Sequence, residues 1–532
     1  MLLLALAAAC LPPSPGASKL RGPLHPAPDN TVRVLVDLGA QLDLGALGRR
    51  LERLGLSKRE RRSRVAAALE QAAAASQARL RPFLEDARRD GLVRSWQGFA
   101  IIDRLLVVAT PEGVEALARR PEVAAIIPET EQDVPVLAWI EPPGSPDKTS
   151  WGIAAIGAPE AWRRGLDGSG VVVGAIDSGA SALHEQLEAG FRGGGASWLD
   201  PADGSATPHD NRTGHGTGVL SCAVGRNAAG VTLGVAPGAQ WIACAGLPDG
   251  RYNNVMVLQC ADWMLRTGQP DVLLAAWLLP GPGCDRSLQP IVDAWRAAEI
   301  LPVFAAGNHG PDARTDRSPA NYTGLFPGGR DALSIGGIGP AGSRLTEASR
   351  GPGACGGRVF PFLSAPAEDL VAAFPIGPAV YRRARGTSFA AGLAAGAAAL
   401  LLQARPDASV LQIEDALRAG AADLGPPGPD DDFGYGRLDV PGALERLGRA
   451  STRSSSRSST APPGVGGARR GAEHAGLAPE PPRRYPLPDG QDRGDLLTTF
   501  VGRDLERDGD LNAHPATLSE ALPGTDKGTG QD

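Results

Sequence analysis

Five short segments of this 532-residue chain are apolar from end to end: VVVGAID, AQWIACAG, DVLLAAWLL, ILPVFAAG and DALSIGGIG. Each has the length of a strand, and none alternates apolar with polar residues as a half-exposed strand would. Strands buried on both faces belong in a parallel sheet covered by crossover helices on either side. Between Trp151 and about Gly448 these segments alternate with helical stretches. The expected architecture is therefore α/β, a doubly wound and mainly parallel sheet over residues 151–448. In such a sheet ligands are held at the carboxyl ends of the strands, so the chemistry is to be sought there.

The sequence before and after this region has a different texture. Within residues 30–132, TVRVLVDL reads as a strand and RVAAALEQAAAASQARLRPFLEDARRDG as a long helix with Leu, Phe and Ala at helical spacing. RLLVVAT follows as a strand, EGVEALARR as a helix and VAAIIPET as a closing strand. That order suits a small ferredoxin-like α+β sandwich. A Pro-rich connector occupies residues 133–150. From 449 to 532 the chain is rich in Ser, Arg, Pro and Gly and then acidic, too poor in apolar residues to fold, and a disordered tail is expected. Its run DLERDGDLN has the acids of a calcium loop, but the twelfth position falls on Pro515 where a Glu is needed.

Composition narrows the field. A net charge of −6 on this length leaves no electrostatic footprint for nucleic acid. The start, MLLLALAAACLPPSPGAS, reads as a signal-like segment over residues 1–25 that lacks the positive n-region, from a truncated signal or a misassigned start. Cys10 after AAA offers a point for lipid anchoring, although Ala7 stands where a Leu is usual. The chain is thus expected to be secreted or held at the cell envelope. Five further cysteines, at 222, 244, 260, 284 and 355, cannot all pair and show no metal-ligand spacing. They read as small buried hydrophobes with one disulfide among them, and no metal site is expected from them.

Polar groups appear where the apolar segments end or helices begin. Asp177 closes VVVGAID, His215 stands between glycines in RTGHGTGVLSCAVG, and Ser388 opens the small, apolar helix of RGTSFAAGLAAGAAALLLQA. Taken singly, each has a plainer explanation: a capping carboxylate, a helix-start residue and an N-cap. The helix after Ser388 is not read as a membrane span, since Phe389 to Leu402 falls short of the roughly 20 residues a span needs. Taken together, the three are the parts of a nucleophilic serine, a base to remove its proton and an acid to orient that base. Asn308, projected by the turn in FAAGNHGP, adds an amide that can donate to a developing oxyanion.

These segments resemble those of subtilisin-type serine proteases, the subtilases, and most of all their bacillopeptidase F-like members. GVVVGAIDSG is similar to the family's Asp motif, GHGTGV to its His motif, FAAGNHGP to its Asn motif and GTSFAAG to its Ser motif. WGIAAIGAPEAW resembles the usual opening of the mature domain, and LGVAPGA also fits the family. The resemblance covers about residues 31–448 and implies Asp177 as orienter, His215 as general base and then acid, Ser388 as nucleophile and Asn308 as oxyanion donor. It also implies an inhibitory, folding-assisting prodomain over residues 30–132, cut off between about Ile126 and Trp151. The reaction needs no cofactor; calcium as a structural ion fits the family. Protein or peptide substrates, the chain's own prodomain as inhibitor and a monomeric state are the expected partners.

Three departures stand out. Gly392 replaces a proline usual in the Ser motif, and Gly218 a bulkier residue in the His motif. More consequential is Ala275 to Leu279, where relatives show a sequence like NSWGG, the edge on which a substrate pairs as an added strand. Ala276, Trp277, Leu278 and Gly307 are the expected substrate-binding residues, and Leu278 in place of glycine is expected to narrow the cleft toward small P1 side chains. The competing reading is a feeble or inactive subtilase fold that binds peptides in its cleft. A third, an envelope scaffold anchored through Cys10, leaves the four catalytic motifs without a use.

Overall fold

The computed structural model describes residues 19–457 other than 40, 134–138, 141–149, 327 and 357–358. Residues 1–18 of the signal-like segment, most of the connector and the calcium-like run DLERDGDLN lie outside the described residues.

The N-terminal unit runs β1 (Val32–Leu38), α1 (Leu44–Glu52), α2 (Lys58–Arg89), β2 (Val93–Phe99), β3 (Arg104–Ala109), α3 (Pro111–Ala118) and β4 (Val123–Pro128). Its sheet has the order β2-β3-β1-β4 with every pair antiparallel, the ferredoxin-like arrangement. Sequence reading passed over α1 and β2. Strand β2 buries only its end residues Val93 and Phe99, so VRSWQGF carries no apolar period. Helix α2 starts at Lys58, ahead of the apolar run, because Ser57 and Glu60 form a capping box.

This unit docks on the following domain through a shared apolar cluster in which Val65, Leu69 and Ile101 meet Val257 and Trp295. Polar ties surround it: Arg62 Nη2 reaches Asp271 Oδ1 at 2.7 Å, and Asp262 Oδ1 accepts the backbone N–H groups of Ala100 (3.0 Å) and Ile101 (2.9 Å).

The larger unit opens with two short helices, α4 (Trp151–Ala155) and α5 (Ala158–Arg163). Its sheet comprises β7 (Val172–Asp177), β8 (Trp198–Leu199), β9 (Gln240–Ala245), β11 (Val272–Ala275), β12 (Leu301–Ala305), β13 (Leu333–Ile338) and β14 (Leu363–Pro366). They lie in the order β14-β13-β12-β11-β7-β9-β8, and every pairing is parallel. The chain first builds outward from β7 to one side and then to the other, so the carboxyl end of β7 is the topological switch point.

Helices cover both faces: α6 (Glu185–Glu188), α7 (His215–Val224), α8 (Asn254–Trp263), α9 (Gln289–Ala297), α10 (Thr387–Ala404) and α11 (Val410–Gly420). Helix α10 is buried from Thr387 through Leu402, so it is the core helix of a globular domain rather than a lipid-facing segment. Its small residues let it cross α7 closely. A Cβ at Gly392 would stand 2.5 Å from Val219 O, which accounts for a glycine at that departure from the family pattern. The last helix, α12 (Val440–Arg457), continues past residue 448 into the sequence read as tail.

Among the described residues two disulfides are present, one more than expected: Cys244–Cys260 and Cys284–Cys355. The free cysteine among them is Cys222, buried in α7, where desolvation pushes its thiol up to about 12.

Two small sheets flank the carboxyl ends of the main strands. Strand β5 (Glu131–Asp133) pairs antiparallel with β10 (Arg251–Asn253). Strand β6 (Trp139–Ile140) pairs antiparallel with β16 (Tyr381–Ala384), which also pairs with β15 (Leu370–Ala373).

Candidate active site

Each singled-out polar residue sits where an element begins or ends. Asp177 is the last residue of β7, at the switch point. His215 is the first residue of α7, delivered by Gly214 in the left-handed region at φ 64°, where a Cβ would also strike Pro375 Cδ at 2.5 Å. Ser388 is the second residue of α10, behind Gly386 at φ 139°. Glycines occupy both N-cap positions, so neither the serine nor the histidine is spent on capping.

His215 Nδ1 lies 2.7 Å from Asp177 Oδ1, an oxygen that also accepts Ser178 N–H at 2.7 Å. Both side chains are buried, which fixes the ring with Nδ1–H on the carboxylate and leaves Nε2 as the base. Burial by itself lowers the imidazole pKa. The charge and hydrogen bond of Asp177, with the charge of Asp210 behind it, outweigh that effect and hold it above the ordinary histidine value.

Asp210 was not anticipated. Its Oδ2 accepts the N–H (2.7 Å) and hydroxyl (2.6 Å) of Thr217, and its Oδ1 accepts the Ser178 hydroxyl at 2.7 Å. Ser178 Oγ in turn accepts Gly216 N–H at 2.9 Å. This half-buried carboxylate ties the loop after Asp177 to the first turn of the His215 helix, and its desolvation there pushes its pKa up.

Asn308 Oδ1 accepts both the backbone N–H and the hydroxyl of Thr387 at 3.0 Å. An N–H can only donate, so the carbonyl end of the amide faces Thr387 and Nδ2 is left to donate elsewhere. The Thr387 hydroxyl also accepts Gly307 N–H at 3.1 Å. Fully buried Thr387 is thus the clamp on the oxyanion donor, a role the sequence reading missed.

Seven of the eight expected site residues line one cavity of about 30 Å³: His215, Asn308 and Ser388 with Ala276, Trp277, Leu278 and Gly307. Asp177 stands behind His215. Ser388 Oγ donates to Ala276 O at 3.4 Å, so a rotation of its hydroxyl is what brings the proton to His215 Nε2. Such contacts commonly tighten only when substrate binds. Trp277 forms the floor, with Nε1 donating to Ile176 O at 2.8 Å.

Leu278 Cδ1 would stand 2.6 Å from a Cβ at Gly307, so leucine and glycine share the mouth of the cavity. His309 also lines it, with its imidazole lowered to about 4, first by burial and then by Arg317. The ring is therefore neutral at physiological pH.

Among the described residues one cluster has the groups for a metal ion: Asp200, Asp203 and His209, with ligand atoms within 4.8 Å of one another. None of the three lines the catalytic cavity.

Comparison with known proteins agrees with this geometry. The model of the subtilase family matches residues 168–436, from ahead of β7 to beyond α11. Bacillopeptidase F of Bacillus subtilis (strain 168) is 29% identical over 440 residues, covering 74% of this chain but only 29% of that protein's length. An alkaline protease of Alkalihalobacillus alcalophilus is 31% identical over 62% of this chain and 76% of its own length. Subtilisin BL of Lederbergia lenta is 32% identical over 52% of this chain and 92% of its own. With the family model matching half of its length around a buried Asp–His pair, this chain belongs to the subtilase family.

Proposed function

We propose that the protein is a secreted serine endopeptidase, made as a proenzyme that cuts itself. The observation that carries this reading is that Ser388, the Asp177-held His215 and the free amide donor of Asn308 meet in a single cavity. Ser388 Oγ attacks the scissile carbonyl while its proton passes to His215 Nε2. Asp177 stabilises the resulting imidazolium, and Asn308 Nδ2 donates to the oxyanion. Collapse of the tetrahedral intermediate expels the amine, which takes the proton from His215, and leaves the acyl group on Ser388. Water, deprotonated by the same nitrogen, then releases the acid. No cofactor enters these steps.

The pairing of β5 on β10 and of β6 on β16 supports self-cleavage. Strand β16 runs straight into Gly386–Ser388, and β10 follows the loop of Leu247, which lines the cavity. One stretch of chain thus pairs on both sides of the nucleophile, which is how an extended peptide is presented. Self-cleavage is proposed to fall between Asp133 and Trp139, and the N-terminal unit to remain as an inhibitor on the surface it already covers. The closed mouth formed by Leu278, Gly307 and neutral His309 favours a small, uncharged P1 residue. Export to an oxidising compartment fits the signal-like start and the two disulfides.

The small cavity also favours a second reading, a peptide-binding subtilase fold that turns over poorly. A fluorophosphonate separates them. A phosphonyl adduct mapped to Ser388, formed by the wild type and not by His215→Ala, is expected of the peptidase. No adduct on Ser388 would favour the binding protein.

A further inference from the structure

Strand β10 carries one exposed charge, and the chain's own strand is built around it. In the β5–β10 pair Arg251 stands opposite Asp133, Tyr252 opposite Gln132 and Asn253 opposite Glu131. Arg251 Nε donates to Asp133 Oδ1 at 2.9 Å and its Nη1 to Glu131 Oε1 at 3.2 Å. One guanidinium therefore grips two carboxylates spaced i, i+2 on one face of an added strand, the directly opposite one and its diagonal neighbour.

Strand β10 is held firmly enough to select. Tyr252 is buried with its ring 6.1 Å from that of Trp277, the cavity floor, and Cys260 in the following helix is bonded to Cys244 at the end of β9. The polarity of the edge follows from chain order. Residues paired with β10 precede those paired with β16, so β10 receives the segment N-terminal to the bond cut by Ser388.

We infer that Arg251 makes this edge selective for acidic peptides, those with Glu or Asp at two positions two residues apart upstream of the scissile bond. The inference rests on the peptidase reading and adds a substrate class to it. A product or substrate carrying the acidic pair competes for the edge that Glu131 and Asp133 occupy before processing.

The test uses the processed enzyme and three peptides identical except at those two positions, bearing Glu and Asp, Gln and Asn, or Lys and Lys. Arg251 is 42% exposed and Asp133 90%, so each pair is a screened surface contact. Two such pairs together give about tenfold in kcat/KM for the acidic over the neutral peptide, fading toward unity in 0.5–1 M salt on the order expected from the Debye length. Arg251→Glu should reverse the order of the acidic and lysine peptides. Equal rates on all three peptides, or an unchanged order in Arg251→Glu, would overturn the inference while leaving the peptidase reading intact. Failure of the wild type to cut any of the three would sink the peptidase reading and this inference with it.

Discussion

Leu278→Gly is the substitution with the largest consequence for what the cleft accepts. The wild-type cavity is about 30 Å³, and Leu278 Cδ1 stands over Gly307 with no space for even one added carbon between them. A space of this size holds about one or two water-sized groups, so it takes a small side chain and little more. Glycine at 278 removes four carbons and opens room for a side chain of similar size. Each methylene accommodated in an apolar pocket contributes about 1–3 kcal/mol to transition-state binding. Even at the low end, three methylenes amount to about 3 kcal/mol, or roughly 10² in kcat/KM. Fluorogenic peptides with Gly, Ala, Val, Leu and Phe at P1 read this out. The wild type should prefer Ala over Leu and Phe, and the variant should raise the Leu-to-Ala ratio about 10²-fold. Giving up burial of this nearly enclosed leucine costs about 1.5–3 kcal/mol, well inside an ordinary stability margin, so a Tm measurement should show a folded variant. The reasoning fails if the wild type cuts after Phe as well as after Ala and Leu278→Gly leaves the ratio alone.

Other consequences follow from the same geometry. Thr387→Val deprives Gly307 N–H of its acceptor and Asn308 of one of its two donors, so kcat should fall with KM little changed and Thr387→Ser should restore it. The fall should stay below the 10²–10³ on the order of which losing the whole amide costs, a figure drawn from a subtilisin. Because His215 must be neutral to act and its pKa is held above the usual imidazole value, kcat/KM should rise with pH through a midpoint above about 6.5 and be lost as pH falls. Asp177→Asn should shift that midpoint downward and lower kcat by about 10⁴; an unmoved midpoint would contradict the assigned pair. The disulfides close loops of 16 and 71 residues, contributing about 3 and 4 kcal/mol on the chain-entropy account, so reduction should lower Tm steeply. Denatured without reductant, residues 139–532 should titrate one thiol, that of Cys222, and three or more would contradict the pairing.

Much of this was legible in the sequence because burial writes itself plainly there. The fully apolar strands could only suit a covered parallel sheet, and the ends of β7 and the starts of α7 and α10 were marked by polar residues next to glycine. What escaped was whatever depends on long-range pairing. Asp210 reads as an ordinary loop acid until Thr217 and Ser178 close on it. Thr387 looks like a helix start until it meets Asn308, 79 residues away. Strands β5 and β6 are too short and too polar or sparse to signal a strand, since their partners β10 and β16 lie more than a hundred residues on. The cysteine count left the pairing open because spacing alone cannot choose among connectivities.

The most direct test of the whole account is to express residues 26–532 beside a Ser388→Ala copy and weigh both by intact mass spectrometry. The account predicts that the wild type alone loses a fragment ending between Asp133 and Trp139, the two points where its chain is paired on either side of the nucleophile, while the Ser388→Ala chain stays whole. Two full-length chains, or two chains cut alike, would contradict it.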